Sequence, residues 1–146
     1  MGNKKRPNAR FDPPESKQPR TGGNPQSYWS ANPSWRIRKL VWKDRFGWHK
    51  VQPEQLESIR SKLGDFEERT WGEILNARNN PNHPIPFHKL CDDARRRFRD
   101  ENAPEAVVSL RLSGRERIWG VMENGVLSLL WWDPEHEVCP TLKKHT

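Results

Sequence analysis

Apolar positions in this chain come in short runs whose spacing changes along its length. Residues 1–34 carry almost no aliphatics. Ordered patterning begins near Trp35, where WRIRKLVW alternates imperfectly and Gly47 breaks a second aromatic stretch, FGWHKV. That pattern predicts a strand or hairpin over 35–51. Pro53 stands where helices start. Leu56, Ile59 and Leu63 follow at helical spacing up to Gly64, a natural stop, with Phe66 placed to pack back on the helix. Thr70 and Glu73 form a T-x-x-E capping box for a second helix, TWGEILNA. RNNPNHP reads as a loop. Leu90, Ala94 and Phe98 then predict a third helix over about 87–101, its outer face loaded with Arg95, Arg96, Arg97 and Arg99.

The last third changes period. VVSLRLSG, RERIWGVM and VLSLLWWD read as three strands, with a type I′ signal at Asn124-Gly125 and a type II′ signal at Gly114-Arg115. Two-residue loops at both turns place Leu112 opposite Arg117, Arg117 opposite Trp132, Leu110 opposite Trp119 and Trp119 opposite Leu130. One face then carries Val108, Leu110, Leu112, Trp119, Val121, Val126, Leu130 and Trp132, with Arg117 as its single basic intruder. The other is mixed, with small residues where something could lie against the sheet. The fold class expected is α+β: an N-terminal strand or hairpin, two to three helices, then a three-stranded antiparallel meander packed on helices that cover one sheet face.

Composition bounds how much of the chain this describes. A length of 146 residues suits one small domain, yet hydrophobic content is 32%, charged content 31%, and there are thirteen prolines and nine glycines. Eight tryptophans allow a compact core built from few positions. The division expected is a disordered, basic, Pro/Gly-rich tail over 1–34 and a single α+β domain over 35–146. Lys4, Lys5, Arg6, Arg10, Lys17 and Arg20 against Asp12 and Glu15 give the tail +4 of the chain's net +7. That charge favours acidic partners: nucleic acid, an acidic protein or an anionic surface. No apolar run approaches the roughly 20 residues that span a bilayer. The basic start lacks the apolar stretch of a secretory signal, and Arg6 stands where a myristoylation signal wants Ser or Thr. Cys91 and Cys139 are accordingly read as reduced thiols in a cytoplasmic protein, with no membrane partner and no cofactor.

Several residues are candidates for chemistry. Arg117, among apolar neighbours, either snorkels out to stack on Trp132 or is a pre-placed cation for phosphate. His136 lies three residues past the end of the last strand, beyond Asp133-Pro134, and is either a solvated loop histidine or a proton carrier delivered by a rigid sheet. Lys143, Lys144 and His145 form a basic end, a solvated tail or a phosphate clamp. His88 with Cys91 and His136 with Cys139 repeat H-x-x-C, which leaves a four-ligand zinc site as a weak alternative to no metal at all. The arginine run on the third helix is a solvated face or a seat for RNA phosphates or an acidic protein. Paired carboxylates of the glycosidase kind, a G-x-S-x-G elbow and a glycine-rich phosphate loop are absent.

RIWGVMENGVLSLLWWDPEHEV resembles the end of RelE/ParE-type toxins of bacterial toxin–antitoxin systems. LRLSGRERIWG and LLWWDPEHEVCP with KKHT look, more closely, like small bacterial and phage proteins with that ending. The likeness covers about residues 50–146 and its specific part is 109–145. It implies a RelE-like fold and a ribosome-dependent endoribonuclease, in which the message's 2′-OH attacks the adjacent phosphate while basic side chains hold the charge. By position it makes Arg117 and His136 catalytic, with Arg111, Lys143 and Lys144 as supporting cations, RNA and the ribosome as partners, and an acidic antitoxin to restrain it. This chain departs from the family's frequent reactive tyrosine near the last strand, since its only tyrosine is Tyr28. A different class stays open beside it: a non-catalytic nucleic-acid- or protein-binding module, whose contact surface is the sheet face around Arg111 and Trp131 together with the basic helix.

Overall fold

The computed structural model describes residues 28–76, 80–98 and 102–140. Most of the basic tail, and Lys143, Lys144 and His145, lie outside the described residues. In chain order the elements are β1 (Ser34–Arg36), a 3-10 turn (Trp48–Lys50), α1 (Pro53–Glu67), α2 (Trp71–Leu75), β2 (His83–Pro86), a 3-10 turn (Phe87–Lys89), α3 (Asp92–Arg95), β3 (Ala106–Ser113), β4 (Glu116–Glu123) and β5 (Val126–Asp133). The class is α+β. The strands form one five-stranded mixed sheet in the order β1-β5-β4-β3-β2, with β1 parallel to β5 and the other pairs antiparallel. No helix among the described residues is long and apolar enough to cross a membrane.

The helix starts follow from local chemistry. In α2 the capping box closes in both directions: Glu73 N–H donates to Thr70 Oγ1 at 3.2 Å and Thr70 N–H to Glu73 Oε1 at 3.0 Å. Helix α1 does not stop at Gly64. Nothing lies within 4 Å of the space a Cβ would take there, so Gly64 is an ordinary interior residue, and the helix runs on to bury Phe66. Burial of a side chain such as Ile59 or Phe66 stabilises by about 1.5–3 kcal/mol.

Two expected elements came out differently. The 35–51 segment is one short strand followed by a bracket, not a hairpin. The expected third helix is a 3-10 turn and a single α-turn, separated at Leu90, which is extended (φ −77°, ψ 158°). The reason is tertiary: Cys91 N–H donates to Val138 O at 2.7 Å, so this backbone pairs with the C-terminal segment and not with its own preceding turn. Leu90 and Ala94 are still buried and Phe98 packs beside them. Part of the RNNPNHP loop is strand β2, and it sits at the sheet edge, where prolines 84 and 86 leave no central ladder bond unmade. Residues 28–34, assigned to the tail by composition, pack on α2 instead: Trp71 N–H donates to Ala31 O and Gly72 N–H to Trp29 O, each at 2.9 Å.

Both meander turns are two-residue loops, with positive φ at Gly114 (51°), Asn124 (53°) and Gly125 (88°). The expected registers hold only near those turns. An irregularity between Arg111 and Ser113 sets Arg111 opposite Arg117, and another between Trp119 and Gly120 sets Trp119 opposite Trp131 and Arg117 opposite Asp133. Leu110 then pairs with Ile118. Each slip moves side chains to the other face. Ile118, Leu127 and Leu129 join Val108, Leu110, Leu112 and Trp132 under α1 and α2, while Trp119, Leu130 and Trp131 face the opposite side. That second face is covered too, by Val41 and Phe46 of the bracket, Leu90 and Ala94, and Val138 and Cys139. The sheet is therefore buried on both faces, where helices on one face alone were expected.

Candidate nucleic-acid interface

The two cores consume most of the residues that the sequence nominates. Trp131 is 2% exposed and packs edge-on to Phe98 and tilted to Phe46, at 6.2 and 6.3 Å between ring centres, so it is core and not a contact residue. His136 is 3% exposed, with a left-handed backbone at φ 61°. The segment containing it is folded back by Asp133, whose carboxylate accepts from Glu137 N–H at 2.8 Å, Val138 N–H at 2.9 Å and Trp119 Nε1–H at 3.0 Å. Burial raises the Asp133 pKa above the usual carboxylate value, against the pull of those three donors.

Arg117 faces the second core and not the first. Its Nη1 donates to Gly114 O at 2.8 Å and to Glu116 O at 3.3 Å. Trp132, its expected stacking partner, lies on the other face and donates instead to Glu116 Oε2 at 2.8 Å. Burial, and then the charge of Arg111, pull the Arg117 pKa down; Asp133 across the sheet opposes them. No ion pair joins Arg117 to a carboxylate among the described residues, because its guanidinium is taken up by the turn carbonyls.

Arg111 is different, because it is exposed. Strand β2 pairs with β3 only as far as Ser109, so the edge of β3 beyond that point lacks a neighbouring strand. Buried Asn82 caps this edge by accepting Arg111 N–H at 2.8 Å. Opposite the edge stands the second half of α1 and the turn after it. Between them is a groove of about 290 Å³, lined by Lys62, Phe66, Arg69, Pro81, Asn82 and the 111–114 corner. Lys62 and Arg69 lie over the Phe66 ring at 5.9 and 5.4 Å, which holds both cations at the groove wall. Arg111 Nε donates to Gly114 O at 3.1 Å, the same oxygen that Arg117 uses. Two guanidinium groups thus converge on one carbonyl. No carboxylate lines this groove, and among the described residues none pairs with Lys62, Arg69, Arg111 or Arg117. Elsewhere the surface cations are often neutralised, as in Arg36–Glu123, Arg45 with Asp93 and Glu137, and Arg115–Glu135.

The arginine run does not make a clean basic face, since Arg95 pairs with Asp92 and Arg96 with Asp93. The two H-x-x-C segments do meet, through the Cys91–Val138 backbone bond. His88 is nevertheless exposed while His136 is buried, and no three His, Cys, Asp or Glu side chains among the described residues are grouped to hold a metal ion. Sequence reasoning found Arg111 but missed Lys62, Arg69 and Asn82, which lie 29 to 49 positions away in sequence and meet it only through the fold. Comparison with family models, with curated proteins and with solved structures finds no match to this chain.

Proposed function

We propose that this protein is a non-catalytic nucleic-acid-binding module that takes a phosphodiester backbone in the groove between α1 and the free edge of β3. The observation that carries this is the cluster Lys62, Arg69 and Arg111: three like charges in a groove that no carboxylate lines. Such a cluster is destabilising by itself and favourable once an anion sits in it. Arginine's planar fork matches phosphate oxygens bidentately, and Asn82 supplies a neutral polar wall.

The test is salt-dependent binding of short labelled RNA and DNA, wild type beside Lys62→Ala, Arg69→Ala, Arg111→Ala and the triple variant. Each lost phosphate contact lowers the slope of log affinity against log salt by about 0.7–0.9, and the loss is uniform across sequences. A triple variant that melts normally and binds as the wild type does would refute the reading.

A second reading keeps the toxin that the resemblance implies: a RelE-like fold cleaving messenger RNA at the ribosome, restrained by an acidic antitoxin. What favours it is the arginine pair Arg111 and Arg117 on either side of the β3–β4 turn, together with helices preceding a meander. It asks Arg117 and His136, 8% and 3% exposed, to reach a substrate. Induced expression decides it. Growth arrest relieved by Arg117→Ala at matched soluble yield supports a nuclease, and harmless expression at good yield leaves the binding module.

A further inference from the structure

A second surface indicates which kind of nucleic acid. All eight tryptophans lie within the described residues; five are buried, two are half-buried and Trp42 alone is exposed, at 61%. Its backbone is nonetheless fixed. Residues 41–48 bracket the edge of β5 beyond β1, with Val41 N–H donating to Leu130 O at 2.9 Å and Trp132 N–H to Phe46 O at 3.1 Å. The bracket closes on itself through Trp48 N–H to Val41 O and His49 N–H to Trp42 O, each at 3.0 Å. The His49 ring meets Trp42 O through Nδ1 at 2.6 Å and stands 6.4 Å from the indole. Gly47 is required for this closure, because a Cβ there would fall 2.4 Å from Trp42 O and 2.8 Å from His49 Nδ1.

The bracket thus holds an indole and an imidazole out in solvent, on backbone tied to the central sheet. The charge around them is predominantly positive. Residues 36–50 carry Arg36, Arg38, Lys39, Lys43, Arg45 and Lys50 against Asp44 alone. Arg36 and Arg45 are ion-paired; Arg38, Lys39, Lys43 and Lys50 are exposed and pair with no carboxylate among the described residues. Lys39 and Asp44 also line a cleft of about 710 Å³ with Arg96, Arg97 and Phe98.

We propose that Trp42, flanked by His49, is a stacking platform for an unpaired base, and that the ligand is a single-stranded nucleic acid whose phosphates meet Arg38, Lys39 and Lys43. A solvent-exposed aromatic among unpaired cations fits an unstacked base joined to a phosphate chain, while a duplex keeps its base faces covered. This rests on the nucleic-acid reading above but uses different residues, so the two can fail separately.

The experiment is fluorescence anisotropy with a labelled 12-nucleotide RNA strand and its duplex, using wild type, Trp42→Ala and Trp42→Phe, with thermal melts as the folding control. Single-strand affinity falls about tenfold in Trp42→Ala and largely returns in Trp42→Phe, as stacking on any aromatic ring requires. Duplex affinity stays within about twofold, because a paired base offers no free face. Tryptophan emission of the wild type is quenched by the single strand, and that quenching is reduced in Trp42→Phe. If the wild type binds both nucleic acids and Trp42→Ala leaves single-strand affinity unchanged, the stacking platform is refuted while the phosphate groove stands. If the wild type binds neither, both proposals fall.

Discussion

Asp133 ends β5, and replacing it tests whether one carboxylate holds the C-terminal segment on the second core. Asp133→Ala removes the acceptor for three donors: Trp119 Nε1–H, Val138 N–H and Glu137 N–H. Trp119 and Val138 are fully buried, so two of those donors are stranded at about 1–3 kcal/mol each, while Glu137, only part-buried, can rehydrate. Relief of a desolvated carboxylate offsets part of this, leaving a net loss of about 2–4 kcal/mol. With a urea slope of about 2 kcal/mol/M the unfolding midpoint drops by about 1–2 M. Asp133→Asn separates charge from hydrogen bonding. The folded pKa of Asp133 is raised by burial, so its charge-linked contribution is fully present below the ordinary carboxylate value and is lost as pH rises through the folded one. The stability advantage of wild type over Asp133→Asn should therefore grow on acidification through that window. The assay is urea unfolding followed by tryptophan emission at several pH values. An Asp133→Ala midpoint within about 0.3 M of wild type would show that the segment is held without this carboxylate, by Val138 and Cys139 packing and the Cys91–Val138 backbone bond.

Two glycines give predictions of opposite sign. Gly64→Ala meets open space inside α1 and should stabilise by about 0.5–1 kcal/mol, read as a higher urea midpoint; a decrease would mean that the helix ends at Gly64. Gly120→Ala places a Cβ 2.5 Å from Ser128 O and 2.8 Å from Leu127 Cγ and should destabilise by about 1–3 kcal/mol; a neutral result would remove the β4–β5 irregularity as a close contact.

What the sequence made legible follows the range of the forces involved. The Thr70 cap, the Asn124-Gly125 turn and the three long strands are local and were readable. The irregularities were not, because no residue type announces them. Leu130 and Trp131 are consecutive, so strict alternation sends them to opposite faces, yet both lie in the second core against a single Trp119. One extra residue in β5 accounts for that, and it also moved Arg117 away from Trp132. Strand β2 was hidden by its prolines, which propensity counts against a strand and which edge placement permits.

The candidate interface was hidden for a related reason. The resemblance makes Arg111 a supporting cation beside Arg117, and the two do share Gly114 O, but they separate by exposure: Arg117 is buried at the turn and Arg111 opens onto the groove. Exposure at that point is decided by where β2 stops, four residues short of the end of β3, and by how far α1 runs past Gly64 to bring Arg69 across. Neither boundary is set by Arg111 or its neighbours. Trp42 gives the converse case. WRIRKLVW reads as an imperfectly alternating strand or hairpin, and the deciding contact is Val41 N–H on Leu130 O. Once Val41 is tied inward to β5, the next residue must point away from the sheet. The largest exposed ring in the protein is thus a consequence of a backbone bond one residue earlier, and the cations around it leave an anionic, flat-faced ligand as the natural complement.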